Sequence, residues 1–171
     1  TEHGHAFAQR KILQSRVREN TTCVFAPVDF IASTRKALST LKPDILACLE
    51  TEIWPNWLSE AHRMGIKTAL INGRISVRSI KGYIKILPLM KETLKSVDAF
   101  SMIRASDAER IKRMGAPGNR IEVNGNAKYD LLLKQVDGTD REKMKRLYKL
   151  RGDSPVFMAG SIRGAEEKII I

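Results

Sequence analysis

The stretch ILACLETEIWPNW, residues 45–57, runs from a short apolar segment into polar residues and then to a proline. Ile45–Leu49 has the length and composition of a buried strand. Pro55 suits the first turn of a helix, because its missing N–H would have no partner there. Glu50 and Glu52 therefore follow directly on a predicted strand end. In alternating α/β proteins ligands bind at the carboxyl ends of parallel strands, so these two carboxylates are candidate functional residues.

Short β-rich runs alternate with helical patterns along most of the chain. We predict strands near Thr22–Ala26, Ile45–Leu49, Thr68–Ile71, Ala99–Ile103, Ile121–Val123 and Val156–Ala159. We predict helices near Val28–Leu41, Pro55–Met64, Arg78–Ser96, Ser106–Met114, Arg141–Leu150 and from Gly164 onward. This order predicts an α/β fold, a Rossmann-like parallel sheet with helices on both faces.

A polar run at Gln135–Asp140 contains Asp-Gly and predicts a linker, after which Ser154 and Pro155 open a new apolar segment. We expect residues 1–150 to form a nearly complete first domain. Residues 151–171 are expected to be the linker end, the first strand and the start of the first helix of a second domain. The chain begins without Met, and we expect it to be truncated at both ends.

The 171 residues carry a formal charge of +11, which indicates an anionic partner such as nucleic acid, a phospholipid surface or a phosphorylated substrate. Aromatic residues make up only 6% and form no stacking series with the lysines, which weighs against nucleic acid. The basic helix Arg141–Arg151 would be the place for it. No apolar run approaches the ~20 residues that cross a bilayer, so a membrane anchor would have to lie upstream.

Cysteine and histidine give little sign of a metal or a disulfide. Cys23 and Cys48 both fall in predicted buried strands without paired spacing, which predicts two reduced core thiols in a cytosolic protein. His3 and His5 could bind a metal, but no third ligand lies nearby in the sequence, so ordinary histidines are favoured.

Two further polar runs follow predicted strands, NGRISVRS at 72–79 and GNAKYD at 125–130. The first resembles an anion-binding turn at a helix N-terminus; the alternative is a solvated turn in which Ser76 caps the helix. In the second, Lys128 lies in a predicted loop and can be held by Asp130, facing developing negative charge, or it is an ordinary surface lysine. Parallel strands should bring all three runs to one edge. For Glu50 and Glu52, the alternative is that one caps the helix at Pro55.

The predicted helix Arg78–Ser96 has two apolar surfaces, and Pro88 should kink it by removing one backbone hydrogen bond. The predicted core stripe is Ile80, Tyr83, Ile84, Leu87, Met90 and Leu94. Outside it, Ile86 and Leu89 lie beside Lys81, Lys85, Lys91 and Lys95. Apolar residues among lysines suit a surface that rests on anionic lipid. The alternative is a helix that protein covers on two sides.

These motifs give the chain a resemblance to the lipopolysaccharide Kdo (3-deoxy-D-manno-octulosonic acid) transferases, which glycosylate lipid A precursor with CMP-Kdo. The resemblance rests on ETEIWPN at 50–56, NGRISVRS at 72–79, GNAKYD at 125–130, and Gly160-Ser161 followed by Glu166-Glu167. It implies the N-terminal half of a GT-B glycosyltransferase, in which two Rossmann-like halves face a cleft. Residues 1–150 would then be the acceptor-side domain without its first elements, and residues 151–171 would begin the nucleotide-sugar domain.

The resemblance also implies roles for individual residues. Glu50 and Lys128 would stabilise the transition state of an inverting transfer that releases CMP. The implied substrate-binding residues are Glu52, Asn56, Asn72, Arg74, Ser76, Arg78, Ser79, Asn126, Ser161 and Arg163. The implied partners are CMP-Kdo, a lipid A precursor and an anionic membrane at the cytoplasmic face of the inner membrane. Neither a cofactor nor a metal nor nucleic acid is expected.

Two departures from the family pattern bear on activity. The general base of the family is a glutamate upstream of Thr1, so this fragment is expected to lack the base and to be inactive alone. The family's Ser-Thr-His is Ser161-Ile162-Arg163 here, and Ala165 replaces a glycine. An arginine can still hold phosphate or carboxylate. The alternative functions are a non-catalytic anionic-lipid-binding module and a nucleic-acid-binding domain.

Overall fold

The described strands form one parallel sheet and follow each other in it in chain order. The computed structural model describes residues 2–130, 138–150 and 155–170. Its strands are β1 (Ile45–Leu49), β2 (Lys67–Gly73), β3 (Ala99–Met102) and β4 (Ile121–Val123). They form one four-stranded sheet in the order β1-β2-β3-β4, and every neighbouring pair is parallel. The predicted α/β class with a parallel sheet and flanking helices is confirmed.

Helices connect the strands and extend the chain at both ends. Their bounds are α1 (Glu2–Leu13), α2 (Ile31–Leu41), α3 (Pro55–Arg63), α4 (Val77–Lys85), α5 (Leu87–Lys95), α6 (Ala105–Arg113), α7 (Gly138–Leu147) and α8 (Glu167–Ile170). Residues 127–130 are also helical. Pro55 begins α3, and Gly65 and Gly115 follow α3 and α6 with φ of 77° and 109°. Both glycines thus adopt the left-handed backbone that often ends a helix.

One face of the sheet carries the main core. Cys48, Leu70 and Phe100 are partners in register across β1, β2 and β3, and all three are buried. Side chains from α3 to α6 pack on them, chiefly Leu58, Ile80, Met90, Leu94 and Ile111. Each fully buried side chain of this size contributes roughly 1.5–3 kcal/mol. This packing fixes the strand ends that carry the candidate site.

The other face of the sheet is apolar along β1 and β2, and it is open within the described residues. Ala47, Ala69 and Ala99 lie side by side in register, and Leu49 pairs with Ile71. Leu49 and Ile71 remain 59% and 40% exposed. Further along the same face Ser101 pairs with Glu122, so its apolar part is the half formed by β1 and β2.

Two predicted strands are wrong. Residues 22–26 and 156–159 have no regular secondary structure. A strand needs a neighbour that accepts and donates its backbone hydrogen bonds, and neither segment pairs with a described strand. The first segment instead contacts α1, where the His5 ring stacks on Phe25 at 4.2 Å between centroids and its Nε2 lies 3.3 Å from the Cys23 carbonyl oxygen.

The two cysteines consequently differ in environment. Cys48 is buried in β1 as predicted, and burial, with smaller contributions from Glu52 and Asp29, raises the pKa of its thiol. Cys23 is only half-buried and lies outside the sheet, so its prediction as a core thiol in a strand is wrong. Both thiols are free.

The long helix predicted over Arg78–Ser96 is two helices. The first ends at Lys85, and Ile86 lies between it and α5, in which Pro88 occupies the first turn. Proline there loses no hydrogen bond, whereas in a continuous helix it would clash with the preceding turn. The predicted kink is thus a complete break. Ile84, predicted in the core stripe, is instead 43% exposed.

A charged cluster joins α2 to α3. The Glu60 carboxylate accepts hydrogen bonds from Arg35 at 2.8 and 3.0 Å and from Arg63 at 2.7 Å. These guanidinium groups lower the pKa of Glu60 to about 2. The carboxylate is therefore charged at any ordinary pH and holds the two helices together.

The chain divides into two compact units, Thr1–Asn126 and Ala127–Ile171. The sheet and the helices α1 to α6 belong to the first unit. The functional boundary expected near residue 150 stays a prediction, and the start of the expected linker, residues 135–137, lies outside the described residues. No helix in the described ranges is both long and apolar enough to cross a membrane.

Candidate functional site

The carboxyl ends of the strands form one continuous edge of polar residues. Backbone hydrogen bonds continue past each strand, from Glu50 N–H to the Ile71 oxygen (2.9 Å), from Ile103 to Gly73 (3.0 Å) and from Asn124 to Met102 (3.0 Å). The residues at the carboxyl ends of the strands therefore lie in a row, which we call the carboxyl edge: Glu50, Asn72, Arg74, Arg104 and Asn124. Two of the three predicted polar runs, at 50–56 and 72–79, begin here, and the third begins directly after Asn124.

Left-handed backbone at non-glycine residues is concentrated among the predicted site residues. The described residues include five such positions, and Lys42 and Lys149 simply follow the last turn of α2 and α7. The remaining three are Glu50 (φ 58°), Asn72 (57°) and Ser161 (60°). This conformation costs roughly 1–2 kcal/mol for an L-residue other than asparagine or aspartate. Such costs are typical of functional sites, which points to Glu50 in particular.

The N-terminus of α3 is capped by Asp29 and not by Glu50 or Glu52. Backbone N–H groups of Asn56 and Trp57 donate to the Asp29 carboxylate at 3.3 and 3.0 Å. The Asn56 side-chain amide donates to the Asp29 carbonyl oxygen at 2.9 Å. Glu52 accepts a hydrogen bond from the Trp54 indole N–H at 2.7 Å. Sequence reasoning missed Asp29, because its partners lie 27 and 28 positions further along the chain and only the fold joins them.

The turn after β2 is both a helix cap and an exposed cationic surface. Ser76 precedes α4, and its hydroxyl accepts the Ser79 N–H at 2.9 Å and lies 2.7 Å from the Ser79 hydroxyl. The alternative that Ser76 caps the helix is confirmed. Arg74 and Arg78 are exposed, and neither makes an ion pair with any described residue. The cap therefore leaves two guanidinium groups available to an anion.

Lys128 and the remaining predicted residues lie at or beyond the boundary of the first unit. Lys128 lies in a helical turn that begins at residue 127, so its prediction as a loop residue is wrong. It is exposed, and like Asn126 it makes contacts within the protein. Arg163 donates its backbone N–H to the Glu166 carboxylate at 3.0 Å, next to Ser161. The convergence of Glu50 and Lys128 in one cleft stays a prediction.

An apolar cavity of about 490 Å³ lies beside Glu52 and along β1. It is lined by Ala26, Pro27, Val28, Leu46, Ala47, Cys48, Leu49, Glu52, Trp54 and Trp57. The raised pKa of Cys48 keeps this thiol neutral at its wall. The carboxyl edge thus places charged groups next to a hydrocarbon-lined space.

Arg104 is the charged residue of this edge that the sequence analysis did not suggest. It lies two residues after the end of β3, and it is exposed at the start of α6. The signal was available in the sequence, since Arg104 follows the predicted strand Ala99–Ile103. It was missed because it is a single charged residue and not a polar run.

The fold and the edge together define a Rossmann-like α/β protein with a charged site at its strand ends. The model of the family described as 3-deoxy-D-manno-octulosonic-acid transferase (kdotransferase) matches residues 1–131. The chain therefore belongs to this family.

Curated relatives agree with the family match. A bifunctional glycosyltransferase/methyltransferase of Fusobacterium nucleatum is 31% identical over all of this chain and 26% of its own length. The 3-deoxy-D-manno-octulosonic acid transferases of Chlamydia pneumoniae and Haemophilus influenzae are each 28% identical, over 85% and 86% of this chain. The chain spans 33% and 34% of those two proteins.

Among solved structures, a UDP-GlcNAc 2-epimerase from Neisseria meningitidis bound to UDP-GlcNAc is similar with a TM-score of 0.45 and 16% identity. The similarity covers 72% of this chain and 34% of that one. It is too weak to bear on function.

Proposed function

We propose that this chain is the acceptor-side part of a glycosyltransferase that moves Kdo from CMP-Kdo to a lipid A precursor in lipopolysaccharide core biosynthesis. The proposal rests on one observation: in a chain of the kdotransferase family, Glu50 occupies a left-handed backbone at the head of a row of charged residues. The nucleotide-sugar half would complete the cleft, in the GT-B arrangement.

The proposed reaction inverts the anomeric carbon. The acceptor hydroxyl oxygen attacks that carbon, the bond from the carbon to the CMP phosphate oxygen breaks, and CMP leaves with the electron pair. The hydroxyl proton passes to a general base, which we place outside residues 1–171. Positive charge develops on the sugar while negative charge grows on the leaving phosphate. A carboxylate facing the first and a cation facing the second would each lower the barrier.

We assign these two roles to Glu50 and Lys128. The Glu50 carboxylate makes no hydrogen bond or ion pair with another described residue, so it is available to substrate. Removal of one such group from a preorganised site lowers turnover about 10²- to 10³-fold.

Cationic and polar groups of the edge would bind the anionic substrates. Arg74 and Arg78 stand on a rigid turn whose serines are already paired, and a guanidinium binds phosphate or carboxylate through two parallel hydrogen bonds. We assign them, with Ser76, Ser79 and Asn72, to the phosphorylated acceptor. Glu52 and Asn56 would shape its entrance, where the 490 Å³ apolar cavity suits a hydrocarbon chain. Asn126, Ser161 and Arg163 would contact the donor.

An exposed surface on α4 and α5 supports a membrane partner. Ile86 and Leu89 are 46% and 51% exposed, and Lys81, Lys85 and Lys91 around them are exposed too. Lysine contributes about 1 kcal/mol per residue near an anionic bilayer, and the apolar residues add buried area. We propose that this surface rests on the cytoplasmic face of the inner membrane.

The decisive experiment measures Kdo transfer by the full-length protein that contains this chain. CMP release and the mass of the lipid product are followed with CMP-Kdo and lipid A precursor. Lys128→Ala should lower kcat about 10²- to 10³-fold with little change in KM. Lys143, an exposed lysine of α7 in the same unit, provides the control, since Lys143→Ala should leave both constants unchanged. No transfer by the wild type overturns the reaction, and equal effects of the two variants overturn the role of Lys128.

A second candidate, a non-catalytic module that binds anionic lipid, is favoured by the same exposed surface around Ile86 and Leu89. It predicts binding to anionic vesicles that is unchanged in Glu50→Ala and Lys128→Ala, with no transfer by the full-length protein. An oligonucleotide shift assay beside the vesicle assay tests the prediction that nucleic acid is not a partner. Residues 1–171 alone should bind vesicles but release no CMP, because they lack the proposed base.

A further inference from the structure

Asp107 and Arg110 on α6 hold the turn between β2 and α4 through both peptide groups of a single residue, Ile75. The Ile75 N–H donates to Asp107 Oδ1 at 2.9 Å, and Arg110 Nη1 donates to the Ile75 carbonyl oxygen at 2.9 Å. The same Arg110 nitrogen lies 3.2 Å from Asp107 Oδ1. Two side chains one helical turn apart thus close a ring of hydrogen bonds around Ile75.

These contacts are shielded from solvent, which makes them strong. Asp107 is 4% exposed and Ile75 is fully buried, while the Arg110 side chain keeps 25% of its surface. A buried carboxylate is costly unless it is paired and hydrogen-bonded. Asp107 meets that condition because it faces the turn between β2 and α4. A buried carboxylate in the first turn of α6 therefore holds a different loop in place.

The consequence for the site follows from the backbone. The Ile75 N–H belongs to the peptide group shared with Arg74, and the Ile75 carbonyl belongs to the one shared with Ser76. When both peptide groups are held, the side chains of Arg74 and Ser76 project from the backbone in fixed directions. Ser76 is fixed a second time by its bond to the Ser79 N–H. An arginine on a rigid backbone loses less conformational entropy when it binds an anion.

We propose that Asp107 and Arg110 are positioning residues, which aim Arg74 at the anionic substrate by clamping Ile75. The inference rests on the proposed function, in which Arg74 binds the phosphorylated acceptor. Neither side chain touches substrate in this assignment. Both act through the turn, as supporting residues beneath a binding group do.

The test uses the full-length protein with Asp107→Ala, which removes the acceptor of the Ile75 N–H. We expect kcat/KM for the lipid acceptor to fall roughly 10- to 100-fold, the range for a small misplacement of a binding group. Asp107→Asn keeps an oxygen in the same place and should restore most of that loss. If Asp107→Ala does not fold, Arg110→Ala, which removes the partly exposed member of the clamp, carries the same expectation.

Asp98 provides a matched control. Its carboxylate also accepts a buried backbone N–H, that of Thr68 at 2.9 Å, but at the opposite edge of the sheet. Asp98→Ala should lower the melting temperature as Asp107→Ala does and leave kcat/KM unchanged. Equal kinetic effects of the two variants would show that Asp107 acts only through general stability, and the inference would be wrong.

A double-mutant cycle separates this inference from the proposed function. In an Arg74→Ala background, Asp107→Ala should cause little further loss, because the group that it aims is gone. Additive losses overturn the clamp while Arg74 keeps its role, whereas full activity of Arg74→Ala alone overturns the role assigned to Arg74. Amide hydrogen exchange decides the clamp without any activity: Asp107→Ala, but not Asp98→Ala, should accelerate exchange in the 74–79 peptide, and unchanged exchange contradicts the inference.

Discussion

The amino and carboxyl ends of the strands both carry charged residues, but these residues differ in whether they are paired within the protein. At the amino ends of the strands, the Asp98 carboxylate accepts the Thr68 N–H at 2.9 Å and lies 3.8 Å from the Lys67 ammonium. There Arg120 donates to the Lys95 and Val97 carbonyl oxygens, both at 2.9 Å. At the carboxyl ends, Glu50 and Arg74 have no such partner among the described residues.

This difference separates residues that stabilise the fold from those available to a ligand. A charged group that is already paired within the protein contributes little binding free energy to a substrate. An exposed charged group on a fixed backbone contributes more. The backbone agrees, since Glu50 and Asn72 are left-handed at the carboxyl edge. The carboxyl edge is therefore the part of the sheet to which we assign the proposed function.

The largest expected effect comes from Glu50→Gln, which removes a charge and keeps the shape. In the full-length protein we expect kcat to fall about 10²- to 10³-fold with the unfolding free energy changed by less than about 0.5 kcal/mol. Steady-state kinetics and chemical denaturation measure the two quantities. Asp44→Asn, at the other end of the same strand, is the control. It should change neither kcat nor the unfolding free energy. A stability loss in Glu50→Gln without a kinetic loss would reverse the comparison.

Asp98→Asn should lower stability and leave turnover unchanged, the opposite of Glu50→Gln. It weakens hydrogen bonds to a charged acceptor at the amino edge, and we expect the unfolding free energy to drop by about 1–2 kcal/mol at pH 7. Turnover of the folded enzyme should stay unchanged. Urea denaturation beside the transfer assay tests this, and any loss of kcat larger than about twofold would contradict the assignment of the amino edge to stability.

The contribution of Asp98 should also depend on pH with a definite sign. The Thr68 backbone hydrogen bond, helped by Lys67, lowers the pKa of Asp98 below its usual 3.8. Stability from a lowered carboxyl pKa is complete above the unfolded pKa and disappears as pH falls through the folded one. The difference between wild type and Asp98→Asn should therefore be constant from pH 7 to about 5 and shrink below pH 4. A difference that grows in acid would be inconsistent with this pairing.

Glu50→Gly tests the smallest effect, the strain at the carboxyl edge. Glycine adopts φ near 58° without steric cost, although it also makes the unfolded chain more flexible. We expect a gain of about 0.5–1 kcal/mol in unfolding free energy relative to Glu50→Ala, together with the same loss of turnover. Thermal unfolding of the two variants provides the measurement. Equal stability would mean that the left-handed backbone at Glu50 carries no strain.

Local patterns predicted those parts of the fold whose stabilising contacts are near in sequence. Ile45–Leu49 and Ile121–Val123 are strands with the predicted bounds, and Pro55 begins α3 as expected. The two wrong strands share one cause. Thr22–Ala26 has the composition of a strand but no neighbouring strand to pair with, and composition cannot supply a partner.

The sequence also located the polar runs of the site but not the residues beneath them. Glu50, Asn72 and Arg74 could be found because they follow apolar strands. Asp29 and Asp107 could not, since their backbone partners lie 27 to 32 positions away and no local pattern marks a buried carboxylate that serves another segment.

The amino-acid sequence by itself determined the α/β class, the strand ends at which charged residues gather, and the resemblance that led to the kdotransferase family. Only the tertiary structure decided which of those charged residues are hydrogen-bonded or ion-paired within the protein and which are not. Hydrophobic periodicity is a local property that survives in any context, whereas the pairing of a carboxylate depends on which distant backbone group packing brings to it. In this protein, packing brings backbone N–H groups to the carboxylates of Asp98 and Asp107, whereas Glu50 stays exposed.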